Sequence, residues 1–232
     1  MRLKIVLGWG FVLALCLLLT SMLPLTALAG PSTEELIDDA ASVIQDMTQQ
    51  TDVETAAKLI EQAKGVAVFP RVIKAGLIIG GSHGSGLVLR RNSGTGAWYG
   101  PSYIEISGLS WGAQIGVQST ALLLVVTNEL GMRVFSGGKI TLGGEFSVAA
   151  GPVGRQAQAG TDARLTASIY SYSMTKGLFI GFSLEGAKID DDPNANKSFW
   201  GEEISPTHIL EKSADPLVKP VISALGKLMA KG

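Results

Sequence analysis

Residues 143–186, GGEFSVAAGPVGRQAQAGTDARLTASIYSYSMTKGLFIGFSLEG, constrain this chain more than any other stretch. On entering it, Ile140, Leu142, Gly144, Phe146 and Val148 fall on one face, and Lys139, Thr141, Gly143, Glu145 and Ser147 on the other. Such alternation describes a strand with one buried face. The run Ala150-Gly151-Pro152-Val153-Gly154-Arg155 interrupts it with turn chemistry, after which residues 164–172 and 178–185 alternate again. The 29 glycines of the chain follow no strict period, which excludes collagen. With only 6% aromatic residues they suit a tightly curved sheet, where glycine permits bends and close backbone approach.

Upstream of this stretch the period is first helical. Residues 31–50 carry Leu36, Ile37, Ala40, Val43, Ile44 and Met47 on one stripe, and Ser32 with Glu35 has capping-box spacing. A second helix is expected over residues 52–64, with Gly65 in the position that follows a helix C-terminus. Strands are then expected over 65–69, 76–90, 97–107, 112–127, 139–149, 163–173 and 178–189, with a short helix within 128–136. The run Ala121 to Val126 is continuously apolar and calls for burial on both faces. A further short helix is expected over 205–212. Beyond Pro216, Leu217, Val218, Val221, Ile222, Leu225, Leu228 and Met229 form a helical stripe flanked by Lys219, Lys227 and Lys231. The pattern predicts an α+β domain: a curled or closed, barrel-like antiparallel sheet of about six to eight strands, flanked by N-terminal and C-terminal helices. The expected organisation is a signal peptide over 1–29, N-terminal helices over 30–64, a β-rich domain over 65–212 and an amphipathic helix over 213–232.

The leader is read from Arg2 and Lys4, the apolar run 5–19 and the small residues Ala27-Leu28-Ala29. An uncleaved membrane anchor is the alternative, because the apolar run is nearly long enough to span a bilayer. Cleavage after Ala29 would remove Cys16, the single cysteine, leaving no disulfide, thiol nucleophile or thiolate metal site. Net charge would fall from −1 to −3 with the loss of Arg2 and Lys4, which argues against nonspecific nucleic-acid binding. The chain is therefore expected to be exported, to a periplasmic or extracellular location.

Charge is segregated along the sequence. Residues 34–54 hold seven acidic side chains and no basic one, whereas Lys58, Lys64, Arg71, Lys74, Arg90 and Arg91 oppose only Glu61 over 58–91, a local net of +5 (6 − 1). A basic segment of this kind either binds anions or is a solvated face. Catalytic constellations are sparse. His83 and His208 form no metal-ligand pair, and His83 reads as a loop or strand-edge residue. Ser173-Met174-Thr175-Lys176 matches S-x-x-K without the S-D-N and K-T-G elements that serine acyl-enzymes need. Gly80–Gly86 and Gly137-Gly138-Lys139 read as turns or crowded strand positions, not phosphate loops. Asp190, Asp192, Asn194 and Asn196 alternate as in a calcium loop, but Ala195 and Gly201 stand where that loop needs glycine and glutamate. Arg155 either holds a phosphate or carboxylate bidentately or pins its own turn; Tyr170 and Tyr172 read as packing.

The words AKGVAVFP (63–70), KAGLIIGG (74–81), GAWYGPSYI (96–104), GAQIGVQ (112–118), GPVGR (151–155), YSYS (170–173), KGLF (176–179) and SLEG (183–186) occur in one order and spacing. Together they resemble the SYLF-domain family over roughly residues 53–210. The resemblance implies a non-enzymatic lipid-binding domain. Its eukaryotic members bind phosphoinositides, and its yeast members bind and bundle actin. Membrane binding in the family is attributed to an N-terminal amphipathic helix and basic residues, whose counterparts here are the helix before Gly65, Lys58, Lys64, Arg71 and Lys74. Arg155 and Lys176 join them as candidate lipid contacts. Three departures stand out: the leader exports this chain to where neither actin nor ATP is expected, Met174 replaces a frequently basic position, and the first helix is acidic.

The expected function is thus a peripheral domain at an envelope membrane that binds anionic phospholipid, with no cofactor, no metal and no nucleic acid. The alternative is an envelope scaffold that self-associates or binds a protein partner without lipid. An eight-stranded outer-membrane barrel is opposed by the doubly apolar run 121–126, the terminal helices and the sparse aromatics. A hydrolase using Ser173 and Lys176 comes last.

Overall fold

In the computed structural model the described residues are 30–50, 53–76, 79–111, 116–143, 146–151, 167–175, 178–180, 184 and 186–232. Helix α1 spans Thr33–Thr48 and α2 spans Glu54–Gln62. Ser32 starts α1 with a complete capping box: its Oγ accepts from the Glu35 amide at 3.2 Å, and the Glu35 carboxylate accepts from the Ser32 amide at 2.8 Å. The bond from the Ser32 backbone, and then that with its side chain, hold the Glu35 carboxyl below the usual carboxylate range. Leu36, Ile37, Ala40, Ala41, Ile44 and Met47 are buried along one stripe of α1.

The sheet is built from β1 (Gly65–Gly76), β2 (Ile79–Arg91), β3 (Trp98–Trp111), β4 (Gly116–Val126), β5 (Ile140–Thr141), β6 (Val148–Ala150), β7 (Ile169–Thr175), β8 (Leu178–Ile180) and β9 (Lys188–Asp191). Its order is β5-β9-β3-β2-β1-β4-β7-β6, with β8 paired to β7. All pairs are antiparallel except β6 with β7. The two ends of that order, β5 and β6, are neighbours in sequence. Seven residue steps from Thr141 to Val148 reach at most about 25 Å. Eight flat strands would hold the edges about 34 Å apart, so this connection alone compels the sheet to curl.

Both faces of the curled sheet are covered. Val66, Val68, Leu87, Leu89, Tyr103, Leu123 and Val125 pack under the helices, and Ala67, Phe69, Val88, Ile104, Leu122, Leu124 and Val126 line a second core. The doubly buried run in β4 therefore serves both cores at once. Short helices α3 (Glu129–Met132), α4 (Pro193–Trp200) and α5 (Pro206–Ile209) precede α6 (Lys219–Met229). The α6 stripe of Val221, Ala224, Leu225 and Leu228 is 0–1% exposed and belongs to the helix-side core. None of the described helices is long and apolar enough to cross a membrane.

The structure differs from the sequence expectations at several boundaries, each for a local reason. The strand expected over 139–149 is two short ones, because Gly143 takes φ +100° and exchanges backbone hydrogen bonds with Phe146, turning the chain back. β1 does not stop at Phe69: a bulge between Phe69 and Val72 accommodates Pro70, which has no N–H for the ladder, and the strand runs on to Gly76. Gly65 begins β1 and is not a helix cap; a Cβ there would lie 2.5 Å from Met132 Sδ and 2.8 Å from the Leu89 carbonyl oxygen. The segment 178–189 divides into β8 and β9, and the strand expected over 163–173 is described as Ile169–Thr175.

The alternating Asp190–Asn196 run is structural. Asp192 Oδ1 caps α4 by accepting from the Ala195 amide at 2.9 Å. Asn196, 2% exposed, accepts from the Tyr103 amide at 2.8 Å and donates to the Tyr103 carbonyl at 3.1 Å. Asn196→Ala would strand the buried Tyr103 N–H, an expected loss of about 2 kcal/mol read as a lower urea midpoint at unchanged slope.

Candidate functional site

Of the six basic residues singled out in the sequence as lipid contacts, the four that are described do not form one patch. Lys58 is exposed on α2. Lys64, just before β1, donates from Nζ to Ser93 Oγ at 2.9 Å. It lines a cleft of about 330 Å³ with Arg90, Arg91, Tyr99, Glu129 and Glu211. Arg71 and Lys74 lie near the opposite end of β1, exposed and half-buried respectively. Ten residues separate Lys64 from Lys74, about 30 Å of extended strand. Arg155 and Lys176 lie outside the described residues.

Sequence reasoning missed the partners of Lys64. The β1–β2 hairpin pairs Gly65 with Arg90, and the Arg91 amide donates to the Lys64 carbonyl at 2.8 Å, so 25 residues of separation fold to nothing. The hairpin register is the signal that would have found them. These cations are largely engaged within the fold. The Arg91 guanidinium donates to the Glu61 carbonyl and lies 5.7 Å from the Trp98 ring centroid, while Arg90 pairs with Glu129 at 3.5 Å. Such half-exposed pairs contribute about 0–1 kcal/mol each, so this cleft is a weakly balanced charge cluster.

The other end of β1 differs. Among the described residues no ion pair involves Arg71 or Lys74. The exposed acids Glu34, Glu35, Asp38, Asp39 and Asp46 sit on α1, over the half of the sheet nearer Lys64. The acids of α1 and the cations of β1 thus lie on different parts of the fold, while Lys58 on α2 and Lys219 and Lys227 on α6 partly offset the acids of the helix layer.

Side chains with chemical potential elsewhere are placed for other work. His83 is not at a strand edge; it lies in β2, an inner strand, paired with Ile73 and Ser107, and is exposed. His208 is exposed on α5. Ser173 is 2% exposed in β7, opposite Leu122 and Ile180, and not at a helix start as an S-x-x-K nucleophile would be. Tyr170 and Tyr172 are packed in the helix-side core, and burial pushes the Tyr172 hydroxyl well above the usual phenol range. Tyr103, whose hydroxyl donates to the Thr33 carbonyl at 3.3 Å, is raised for the same reason. Among the described residues no group of three or more His, Cys, Asp or Glu could hold a metal ion.

A family model described as "Ysc84: Las17-binding protein actin regulator" matches residues 107–230, more than half of the 232 residues. The SH3 domain-containing YSC84-like protein 1 of Xenopus laevis is 41% identical over 146 residues, covering 62% of this chain and 43% of the relative. Its Homo sapiens counterpart is 35% identical over 177 residues, 74% of this chain and 51% of the relative. Protein YSC84 of Saccharomyces cerevisiae is 36% identical over 194 residues, 78% of this chain and 41% of the relative. The chain spans about half the length of the curated relatives it matches, or somewhat less.

Proposed function

The chain belongs to the Ysc84, or SYLF, family, and from that premise we propose that it is a non-enzymatic domain that binds anionic phospholipid peripherally at an envelope membrane after export. One observation carries this reading: Arg71 and Lys74 stand without ion-pair partners among the described residues, at the end of the sheet farthest from the acidic α1. Cations left unneutralised at one pole give a domain of negative net charge a local attraction for anionic surfaces and a preferred orientation. Lys58 and Lys64 form a second basic group near α2, and Arg155 and Lys176 complete the proposed set from the sequence. The non-enzymatic reading is supported by the burial of Ser173 within a strand, which removes the S-x-x-K serine from any solvent-facing site.

Pro31–Gly232 clusters as one compact unit, which makes residues 30–232 a self-contained fragment for binding experiments. Co-sedimentation of this fragment with anionic vesicles is expected at low salt, with little binding to zwitterionic vesicles and weaker binding at high salt. At about 1 kcal/mol per basic residue near an anionic surface, Arg71→Gln with Lys74→Gln should weaken binding roughly 30-fold. If Lys58→Gln with Lys64→Gln causes that loss instead, the phosphate contacts lie at the α2 end. No binding to either vesicle would sink the lipid reading.

A second reading has support of its own: the family description names a protein partner, Las17, and the curated relatives carry much additional chain. On this reading the domain is a scaffold for a protein or for its own copies. Mass that rises with concentration, without any vesicle binding, is the result it requires.

A further inference from the structure

Resting on the lipid reading, we infer that the far ends of β1 and β4 are the membrane-docking surface, with Ile73 and Val117 entering the interfacial layer of an anionic bilayer beside Arg71 and Lys74. The amphipathic helices that would ordinarily be chosen are already committed. Ile44 and Met47 of α1 and Val221, Leu225 and Leu228 of α6 are 0–1% exposed, so neither helix can give its apolar stripe to lipid without opening the core. The large apolar side chains that β1 and β4 leave in water are at their far ends: Ile73 is 44% exposed and Val117 is 77% exposed.

Register brings the two together. Ala75 pairs with Val117 and Ile73 with Ser119, so Ile73 and Val117 are diagonal cross-strand neighbours on one side of the sheet, about 7–8 Å apart. Val117 shares its alternation with Leu123 and Val125, which lie under the helices, yet it stands four residues beyond Ala121, whose cross-strand partner Met174 is in that core, about 13 Å past the cover. The sheet therefore projects out from beneath the helix layer. The described strand residues at that end are also uncharged: 75–76, 79–83, 107–111 and 116–119 contain no Asp, Glu, Lys or Arg, although 17% of the chain is charged. At that frequency 16 residues would carry about three charges, and an end so depleted incurs little desolvation cost on meeting lipid. Arg71 lies just behind it, where phosphates would be met, and Lys74, level with Ser82 and Gln118, reaches the same layer by snorkelling its long side chain back, while α1 with its acids packs at the Val66 and Val68 end of β1. Charge complementarity thus selects an anionic bilayer, and a docking pose with the strand ends leading.

The test uses residues 30–232, which contain no cysteine because the single one is Cys16. Val117→Cys carries a polarity-sensitive fluorophore; Ser42→Cys on the exposed side of α1 is the control, and unchanged far-UV dichroism shows both are folded. Vesicles of phosphatidylcholine with one-quarter phosphatidylserine should blue-shift the label at position 117 and leave that at 42 unchanged, and bilayer-embedded quenchers should dim only the former. Val117→Asp should weaken sedimentation with the same vesicles at least tenfold. Sedimentation with a water-exposed label at 117 would overturn the docking pose while leaving the lipid reading intact. A shift at 117 that grows with protein concentration in the absence of vesicles would assign the surface to a second copy. Failure to sediment at all would overturn the lipid reading, and this inference with it.

Discussion

Deleting residues 214–232 is expected to abolish folding, and Leu225→Ala alone to cost about 2–5 kcal/mol. The tail is integral by two independent measures. Val218, Val221, Ala224, Leu225 and Leu228 are 0–1% exposed within the core that α1, α2 and the sheet share. Ahead of α6 the chain is clipped to β3: the Ala214 amide donates to the Trp98 carbonyl and the Asp215 amide to the Gly100 carbonyl, each at 3.0 Å. Domains of this size are stable by about 5–15 kcal/mol, so a single truncation at Leu225 consumes a large share and loss of the helix exceeds the whole. Urea unfolding followed by far-UV dichroism checks both: a midpoint shift for Leu225→Ala, and no cooperative transition for the deletion. A deletion variant that unfolds cooperatively but no longer binds vesicles would instead make α6 a membrane element.

That experiment addresses the point at which the sequence is least informative. The 217–229 stripe and the α1 stripe were legible because a 3.6-residue period needs only one-dimensional spacing, and the Ser32–Glu35 box is likewise local. The partner of such a stripe is not local: the same pattern suits a lipid surface and a protein core. The doubly apolar Ala121 to Val126 run was also readable, since no single-sided strand tolerates it, and both cores indeed share it. The division of 139–149 was hidden, because only the left-handed φ of Gly143 distinguishes a turn from an alternating strand. The basic residues mislead in a related way. Lys64, Arg71 and Lys74 are near in sequence, yet an extended strand carries them apart, while the hairpin returns Arg90 and Arg91 to Lys64. Charge adjacency in sequence survives folding in a helix turn and is lost along a strand.

Gly86→Ala is expected to lower stability by about 2–3 kcal/mol and to disturb the far end of β1 more than the core. Gly86 pairs with Ile104 in the middle of β2. A Cβ on it would stand 2.5 Å from Phe69 Cδ1 and 2.5 Å from the Val68 carbonyl oxygen, and one on Gly84 would stand 2.6 Å from the Arg71 carbonyl oxygen. Backbone lies among the obstacles at both positions, so a side-chain rotation cannot relieve the contact. The two glycines are the floor on which the Pro70 bulge of β1 rests, and the bulge sets where Arg71 and the strand beyond it point. In a domain of about 200 residues this loss corresponds to a melting temperature lower by about 5–10 °C. Vesicle binding measured well below that melting temperature should fall as well, because the substitution displaces the segment carrying Arg71, Ile73 and Lys74. Gly84→Ala combined with Gly86→Ala should cost less than the sum of the two, since both press on one bulge. An unchanged melting temperature for Gly86→Ala would mean that β1 does not lean on β2 there, and the hairpin end would lose its fixed direction. Lower stability with unchanged vesicle binding at low temperature would separate the bulge from docking and place the lipid contacts elsewhere on the basic surface.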